Sequence, residues 1–167
     1  MNQPDPAVLA GISLIVLDID GVLTDGSVIV DESGVTSRVF DIKDGLGIVR
    51  LIESGRGVAV ISSSTVSAGV ERLERLGVNP IRIGAGKKIE VLQELVTSRG
   101  LDWAAVAYLG DDLPDLECLG KVGLAVAPAD AVAEVRAIAH LVTTASGGRG
   151  AVRELSDLIL AASQGGQ

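Results

Sequence analysis

A chain of 167 residues suffices for one domain with a sizeable core. A net charge of −8 and an aromatic content of 2% exclude the basic stripe and stacking platforms of a nucleic-acid binder, and no apolar run approaches the roughly 18 residues of a membrane span. A single cysteine, Cys118, rules out an internal disulfide and agrees with a reducing cytoplasm, and Met1–Pro6 lacks the basic start of an export signal.

Leu14–Leu17 is a short apolar run rich in β-branched residues and reads as a buried strand. It runs into Asp18-Ile19-Asp20-Gly21. Ser27–Asp31 and Val35–Phe40 read as extended runs around Glu32-Ser33-Gly34, hence a hairpin flap over 27–40. Asp44 is read as the cap of a helix carrying Leu46, Ile48, Val49, Leu51 and Ile52, closed by Gly55. Val58–Ile61 is the next strand, ending in Ser62-Ser63-Ser64, and a helix follows through Val70, Leu73 and Leu76. Ile81–Ile83 is a short strand and Lys87–Arg99 a helix. Val106–Leu109 is a strand that enters Gly110-Asp111-Asp112-Leu113-Pro114-Asp115, with a short helix to Leu119. Strands at Val122–Val126 and His140–Val142 bracket a helix over Asp130–Ala137. Gly147–Gly150 is a loop before an amphipathic helix, Val152–Ala162, and 163–167 is expected to be a disordered tail.

Alternation of strand and helix with short loops predicts an α/β fold. The expected form is a single Rossmann-like three-layer domain over 1–167, with a central parallel sheet, a β-hairpin insertion and no cap domain. In such sheets ligands bind beyond the carboxyl ends of the strands. The polar clusters of this sequence fall there.

Side chains at i and i+2 of a strand share one face, so Asp18 and Asp20 point into one small volume. Two carboxylates so close repel unless a cation lies between them. Asp18 is the candidate nucleophile for phosphorus, and Asp20 the candidate acid/base for the leaving alcohol and the incoming water. Asp111 completes an oxygen-ligand set for Mg²⁺ with the Asp18 carboxylate and the Asp20 main-chain carbonyl. Ser62 and the free N–H groups of the helix after it suit phosphate oxygens, and a lysine at 87 or 88 suits the charge of the transferred phosphoryl group. Each motif alone also suits a turn or a helix cap; their order along the chain carries the signal. His140, the only histidine, has no visible partner, which argues against histidine phosphatases and Ser-His-Asp hydrolases. Gly84-Ala85-Gly86-Lys87-Lys88 lacks the Walker spacing. Cys118 reads as a small core residue, and Trp103 as packing for the strand that leads to Asp111.

With these four motifs in order, the chain resembles the haloacid dehalogenase superfamily of phosphatases. It is most similar to a capless subgroup, the 3-deoxy-D-manno-octulosonate 8-phosphate phosphatases and related nonulosonate 9-phosphate phosphatases. That likeness rests on Asp20–Gly26, Phe40–Ile48 and Gly147–Glu154. It implies a cytoplasmic Mg²⁺-dependent phosphatase acting on a small phosphorylated sugar acid through an aspartyl-phosphate, with Lys88 as the motif lysine. It also implies a homotetramer in which the hairpins assemble and the 147–150 loop reaches a neighbouring site. Ser63, Ser64, Arg72, Asp112, Asp115 and Arg149 are the implied substrate contacts. At Ser64 the octulosonate phosphatases carry arginine, so the sequence leaves the sugar open. Two rival readings exist. One is a non-catalytic oligomerisation module like the C-terminal domain of animal sialic acid cytidylyltransferases, which has no need of Asp18, Asp20, Lys88 and Asp111. The other is a receiver domain, which would place its acidic pair and acceptor aspartate on separate strands.

Overall fold

The computed structural model describes residues 4–164. Six parallel strands form one sheet in the order β5-β4-β1-β6-β7-β8: β1 (Leu14–Leu17), β4 (Gly57–Ile61), β5 (Ile81–Arg82), β6 (Val106–Leu109), β7 (Leu124–Ala127) and β8 (Leu141–Val142). Every residue of β1, β6 and β7 is buried, as expected for parallel strands covered on both faces. The period of two sorts them. Ile15, Leu17, Val58, Val60, Ala107 and Leu109 meet α1 (Pro6–Gly11), α2 (Ile42–Glu53), α3 (Val70–Arg75) and α7 (Ala151–Gln164). Leu14, Val16, Ala59, Ile61, Val106 and Tyr108 meet α4 (Lys88–Ser98), α5 (Leu116–Leu119) and α6 (Ala133–Ile138) on the other face. These are the three expected layers, and among the described residues no separate cap is formed.

Several boundaries differ from the sequence reading. Helix α1 was not foreseen, although Asp5 caps it by accepting from Ala7 N and Pro6 opens it. Asp41, not Asp44, caps α2, accepting from Lys43 N at 2.7 Å. Asp44 instead turns into the protein and caps α7, its carboxylate accepting from Arg153 N at 2.8 Å and Gly150 N at 3.2 Å. The capping chemistry was right and the helix was wrong. Val152, Leu155, Ser156 and Ile159, spaced i, i+3, i+4 and i+7, form the buried stripe of α7. Ser156 donates to the Gly47 carbonyl, where glycine lets α2 and α7 approach closely.

The hairpin is shorter than expected, β2 (Ile29–Val30) against β3 (Thr36–Ser37). Asp31 draws the chain into a turn by accepting from Ser33 N and Val35 N. β7 starts at Leu124, and just before it Gly123 N donates to the Trp103 carbonyl. α6 starts at Ala133, later than expected, and the Asp130 side chain accepts from Gly147 N instead of capping it. Ser163 and Gln164, where the tail was expected to begin, are still helical; 165–167 lie outside the described residues. His140 is structural: its Nδ1 accepts from Ala125 N at 3.0 Å, and its own N donates to the Ala125 carbonyl. Cys118 is fully buried.

Candidate active site

The register of the sheet sets three strand ends level. Leu17 of β1 lies beside Val60 of β4 and Leu109 of β6. The ladder continues one step further, with Asp18 N donating to the Leu109 carbonyl and Ser62 N to that of Arg82. Asp18 therefore leaves the sheet within one residue of the level of Ser62 and Asp111, and the three surround a cavity of about 280 Å³. Asp20, Ser63, Ser64, Lys88, Asp112 and Asp115 also line it.

Lys88 is the centre of the charge arrangement. It enters from the first turn of α4, is buried, and its Nζ lies 2.9 Å from Asp18 Oδ2 and 2.8 Å from Asp115 Oδ1. Lys87, its neighbour, stays exposed and pairs with Glu90. Of the two lysines, Lys88 is the one that lines the cavity. Asp115 has no exposed surface; Oδ1 also accepts from Tyr108 Oη at 2.7 Å, and Oδ2 accepts from Asp111 N at 3.2 Å. With its oxygens so occupied, Asp115 holds the lysine rather than meeting a substrate. This corrects its expected role.

Burial, then the nearby Asp115 charge, raises the Asp18 carboxyl to about 6 despite Lys88. Burial, then Asp18 and Asp115, raises Asp111 to about 7. Oxygens of Asp18, Asp111 and Asp115 lie within 4.8 Å of one another. Asp18 Oδ1 and Asp111 Oδ1 are buried without any hydrogen-bond partner. Two unpartnered anionic oxygens cost free energy in that position unless a cation satisfies them. The donor set is all oxygen, which suits a hard divalent ion.

The loop Ile19–Gly26 is shaped from within. Thr24, fully buried, accepts from Gly21 N and Gly26 N through Oγ1. Gly21 has φ 83° and passes so close to Asp111 that an added Cβ would lie 2.0 Å from its Oδ2. Gly147 and Gly148 pack onto Gly21–Asp25 of the same chain, with Gly148 N donating to the Val22 carbonyl at 2.8 Å.

Ser62 is 2% exposed, and its Oγ accepts from Ser64 N at 3.2 Å. The helix N–H groups expected beside it are absent from the site, because α3 begins only at Val70 behind a Gly69 covered by the Phe40 ring. Two expected substrate contacts lie outside the cavity lining. The Arg72 guanidinium rests over Gly45 of α2, and Arg149 is exposed and pairs with Asp25 at 2.8 Å.

Arg38 and Tyr108 are the residues that sequence reasoning missed. Arg38 Nε and Nη2 donate to Asp20 Oδ1 and Oδ2 at 2.8 and 2.6 Å. Nothing local marks Arg38, which sits in an exposed hairpin. Tyr108 had a signal: it is the only tyrosine and lies in an otherwise aliphatic strand.

A model of haloacid dehalogenase-like hydrolases matches residues 78–155. The 3-deoxy-D-manno-octulosonate 8-phosphate phosphatase of Yersinia pestis is 40% identical over 153 residues, covering 92% of this chain and 82% of that protein. The crystal structure of the Moraxella catarrhalis phosphatase of the same name, in complex with magnesium, phosphate and KDO, superposes with a TM-score of 0.92 at 34% identity, covering 95% of this chain and 91% of that one. The cobalt-bound Haemophilus influenzae phosphatase gives a TM-score of 0.90 at 35% identity, over 94% and 92% of the two chains. A strand-end Asp-x-Asp, a buried lysine held by a second aspartate, and relatives of this extent give one conclusion: the chain belongs to the haloacid dehalogenase-like hydrolases and is a phosphoric monoester hydrolase of the group that contains the 3-deoxy-D-manno-octulosonate 8-phosphate phosphatases.

Proposed function

We propose that the protein hydrolyses the phosphate ester of a sugar acid, 3-deoxy-D-manno-octulosonate 8-phosphate or a related ulosonate phosphate, with Mg²⁺ and through an aspartyl-phosphate on Asp18. The observation that carries this reading is the Asp18 carboxylate itself. One oxygen is held by Lys88, and the other is buried, unpartnered and beside Asp111. The carboxylate is oriented and dry, as an attacking group must be. Asp20, two residues on, serves as acid for the leaving alcohol and then as base for water. Lys88 offsets charge on the transferred oxygens, and Ser62 donates to one of them. Asp18, Asp111 and the Asp20 main-chain carbonyl would hold Mg²⁺, which supplies charge neutralisation between anionic nucleophile and anionic ester.

The substrate class is supported by the relatives' activity. A panel of C8 and C9 sugar-acid phosphates against hexose phosphates tests it. At least about tenfold higher kcat/KM on an acid substrate is expected, and equal rates across the panel contradict the assignment. The tetramer remains part of the proposal. Val28, Ile29, Val30, Val35, Val39, Ile42 and Leu46 form an exposed apolar stretch over the hairpin and the start of α2, suited to contact between copies. A cytoplasmic setting accords with the single buried thiol.

Mg²⁺ binding has a thermal signature with a defined pH dependence. The folded protein holds protons on Asp18 and Asp111 up to about 6 and 7, whereas the unfolded chain releases them near 4. Without the ion, these two groups therefore make stability fall as pH rises from about 4 to about 7, and the loss is complete above that window. Mg²⁺ binds the deprotonated forms. At a hundredfold excess over its Kd it adds about 2.7 kcal/mol, or roughly 5–10 °C in Tm, at pH 8. The gain vanishes near pH 5. Asp111→Asn is expected to raise the Tm of the ion-free protein at pH 8 and to abolish the Mg²⁺ shift. Differential scanning calorimetry across pH 5–8 reads both; an undiminished shift in Asp111→Asn contradicts the ligand set.

A further inference from the structure

The hairpin around Arg38 is largely in water: Val28, Ile29, Val30, Val35 and Val39 are all more than half exposed. Arg38 is the exception, with 2% of its side chain accessible. All five of its N–H groups are used. Nε and Nη2 form a fork on the Asp20 carboxylate, Nη2 also donates to Ser64 Oγ at 2.9 Å, and Nη1 donates to the Val66 and Ala68 carbonyls at 2.8 and 3.1 Å. The guanidinium thus sits behind two cavity-lining residues, Asp20 and Ser64.

The cavity is rich in carboxylates and poor in cations. Among the described residues Lys88 is the only positive side chain in its lining, and two buried aspartates already hold it. A substrate that bears both a phosphate and a carboxylate presents a second anionic end for which Lys88 is not free. Among the described residues, Arg38 is the cation that hydrogen-bonds directly to the lining on that side. Its planar fork is the shape that receives a carboxylate through two parallel bonds. The carboxylate it now receives belongs to the protein.

We propose that Arg38 is a specificity-determining residue that exchanges carboxylates. Before substrate arrives its fork holds Asp20. When a phosphorylated sugar acid enters, the fork passes to the substrate carboxylate and Asp20 is released toward the leaving oxygen. Nη1 stays anchored on the Val66 and Ala68 carbonyls, so the guanidinium changes partner without leaving its seat. One charge-assisted pair replaces another, so the exchange costs little. A neutral sugar phosphate offers no replacement and leaves Asp20 engaged. This inference rests on the sugar-acid reading above and adds a residue and a mechanism to it.

The test compares wild type, Arg38→Met and Arg38→Lys on 3-deoxy-D-manno-octulosonate 8-phosphate and on glucose 6-phosphate, with Mg²⁺ present. Arg38→Met is expected to lose roughly 30–100-fold in kcat/KM on the acid, the worth of a charge-assisted fork. On glucose 6-phosphate its kcat is expected to rise several-fold, because Asp20 starts unpaired. Arg38→Lys, with a charge but no fork, recovers part of the acid rate, and it serves as the test variant if Arg38→Met does not fold. A parallel fall on both substrates, or an unchanged ratio between them, overturns the exchange and leaves Arg38 as a tie for the hairpin. A wild-type enzyme with no preference for the acid overturns the substrate reading itself, a result distinct from either.

Discussion

Replacing Asp18 by asparagine is expected to lower turnover by about 10⁴-fold or more without loss of the fold. The amide keeps the shape of the side chain but removes the negative charge that attacks phosphorus. Stability is expected to hold or rise, because the carboxylate is buried, its pKa is raised, and one of its oxygens has no partner. Lys88 retains Asp115 at 2.8 Å, so it is not left as an isolated buried cation. Steady-state kinetics with a calorimetric scan of the same sample separates the two effects. Residual turnover within tenfold of wild type would contradict the role of Asp18, whatever the fold does.

Lys88→Met is expected to be the most destabilising change in the site. Lys88 lies between two buried carboxylates and near a third, and its charge lowers the pKa of Asp18 and of Asp111. Removing one partner of a buried charge cluster costs ~3–5 kcal/mol, because the remaining charges stay uncompensated. For a chain of this length that is a fall on the order of 10 °C in Tm. The sign of its pH dependence follows from the raised carboxyls. Without Lys88 they hold protons in the folded state to still higher pH, so the penalty is least near pH 5 and grows through pH 7. Turnover is expected to fall by about 10²–10³-fold even where the variant is folded. Thermal scans at pH 5 and pH 8 read the difference, and a uniform loss at both would mean that packing, not charge, is the cause.

The parts of the site that were legible in the sequence lie at strand ends. Asp18 and Ser62 follow an apolar run directly and Asp111 follows one after a single glycine, and parallel strands in register bring such positions together whatever the loops do. The residues alone left a lysine at 87 or 88 and family likeness singled out Lys88, which is the one the fold buries while Lys87 stays exposed. Asp115 was recognised as part of the site but given the wrong partner, because nothing in the spacing shows that Tyr108 and Lys88 meet its oxygen from other elements. Arg72 and Arg149 were drawn in by family likeness, and neither lines the cavity of this chain.

Long-range polar contacts were the least legible. Asp44 has the residue type of a helix cap at the start of a helix, yet it caps another one more than a hundred residues away. Arg38 reads as an ordinary charged position of a hairpin, and only the tertiary fold lays it across Asp20. Such contacts depend on the path of a loop rather than on periodicity, which is the signal that a sequence carries most clearly. The helix α1 is a different matter, since Asp5-Pro6 is a legible start that was passed over.

The central claim is that Asp18 carries the phosphoryl group. It is tested most directly by rapid acid quench during the first turnover of 3-deoxy-D-manno-octulosonate 8-phosphate, followed by borohydride reduction and peptide mass spectrometry. An acyl phosphate at Asp18 is expected, converted by reduction to homoserine at that position and absent from Asp18→Asn. An enzyme that turns over this substrate yet shows no modification at Asp18, or shows it at Asp20 or Asp111 instead, would contradict the account.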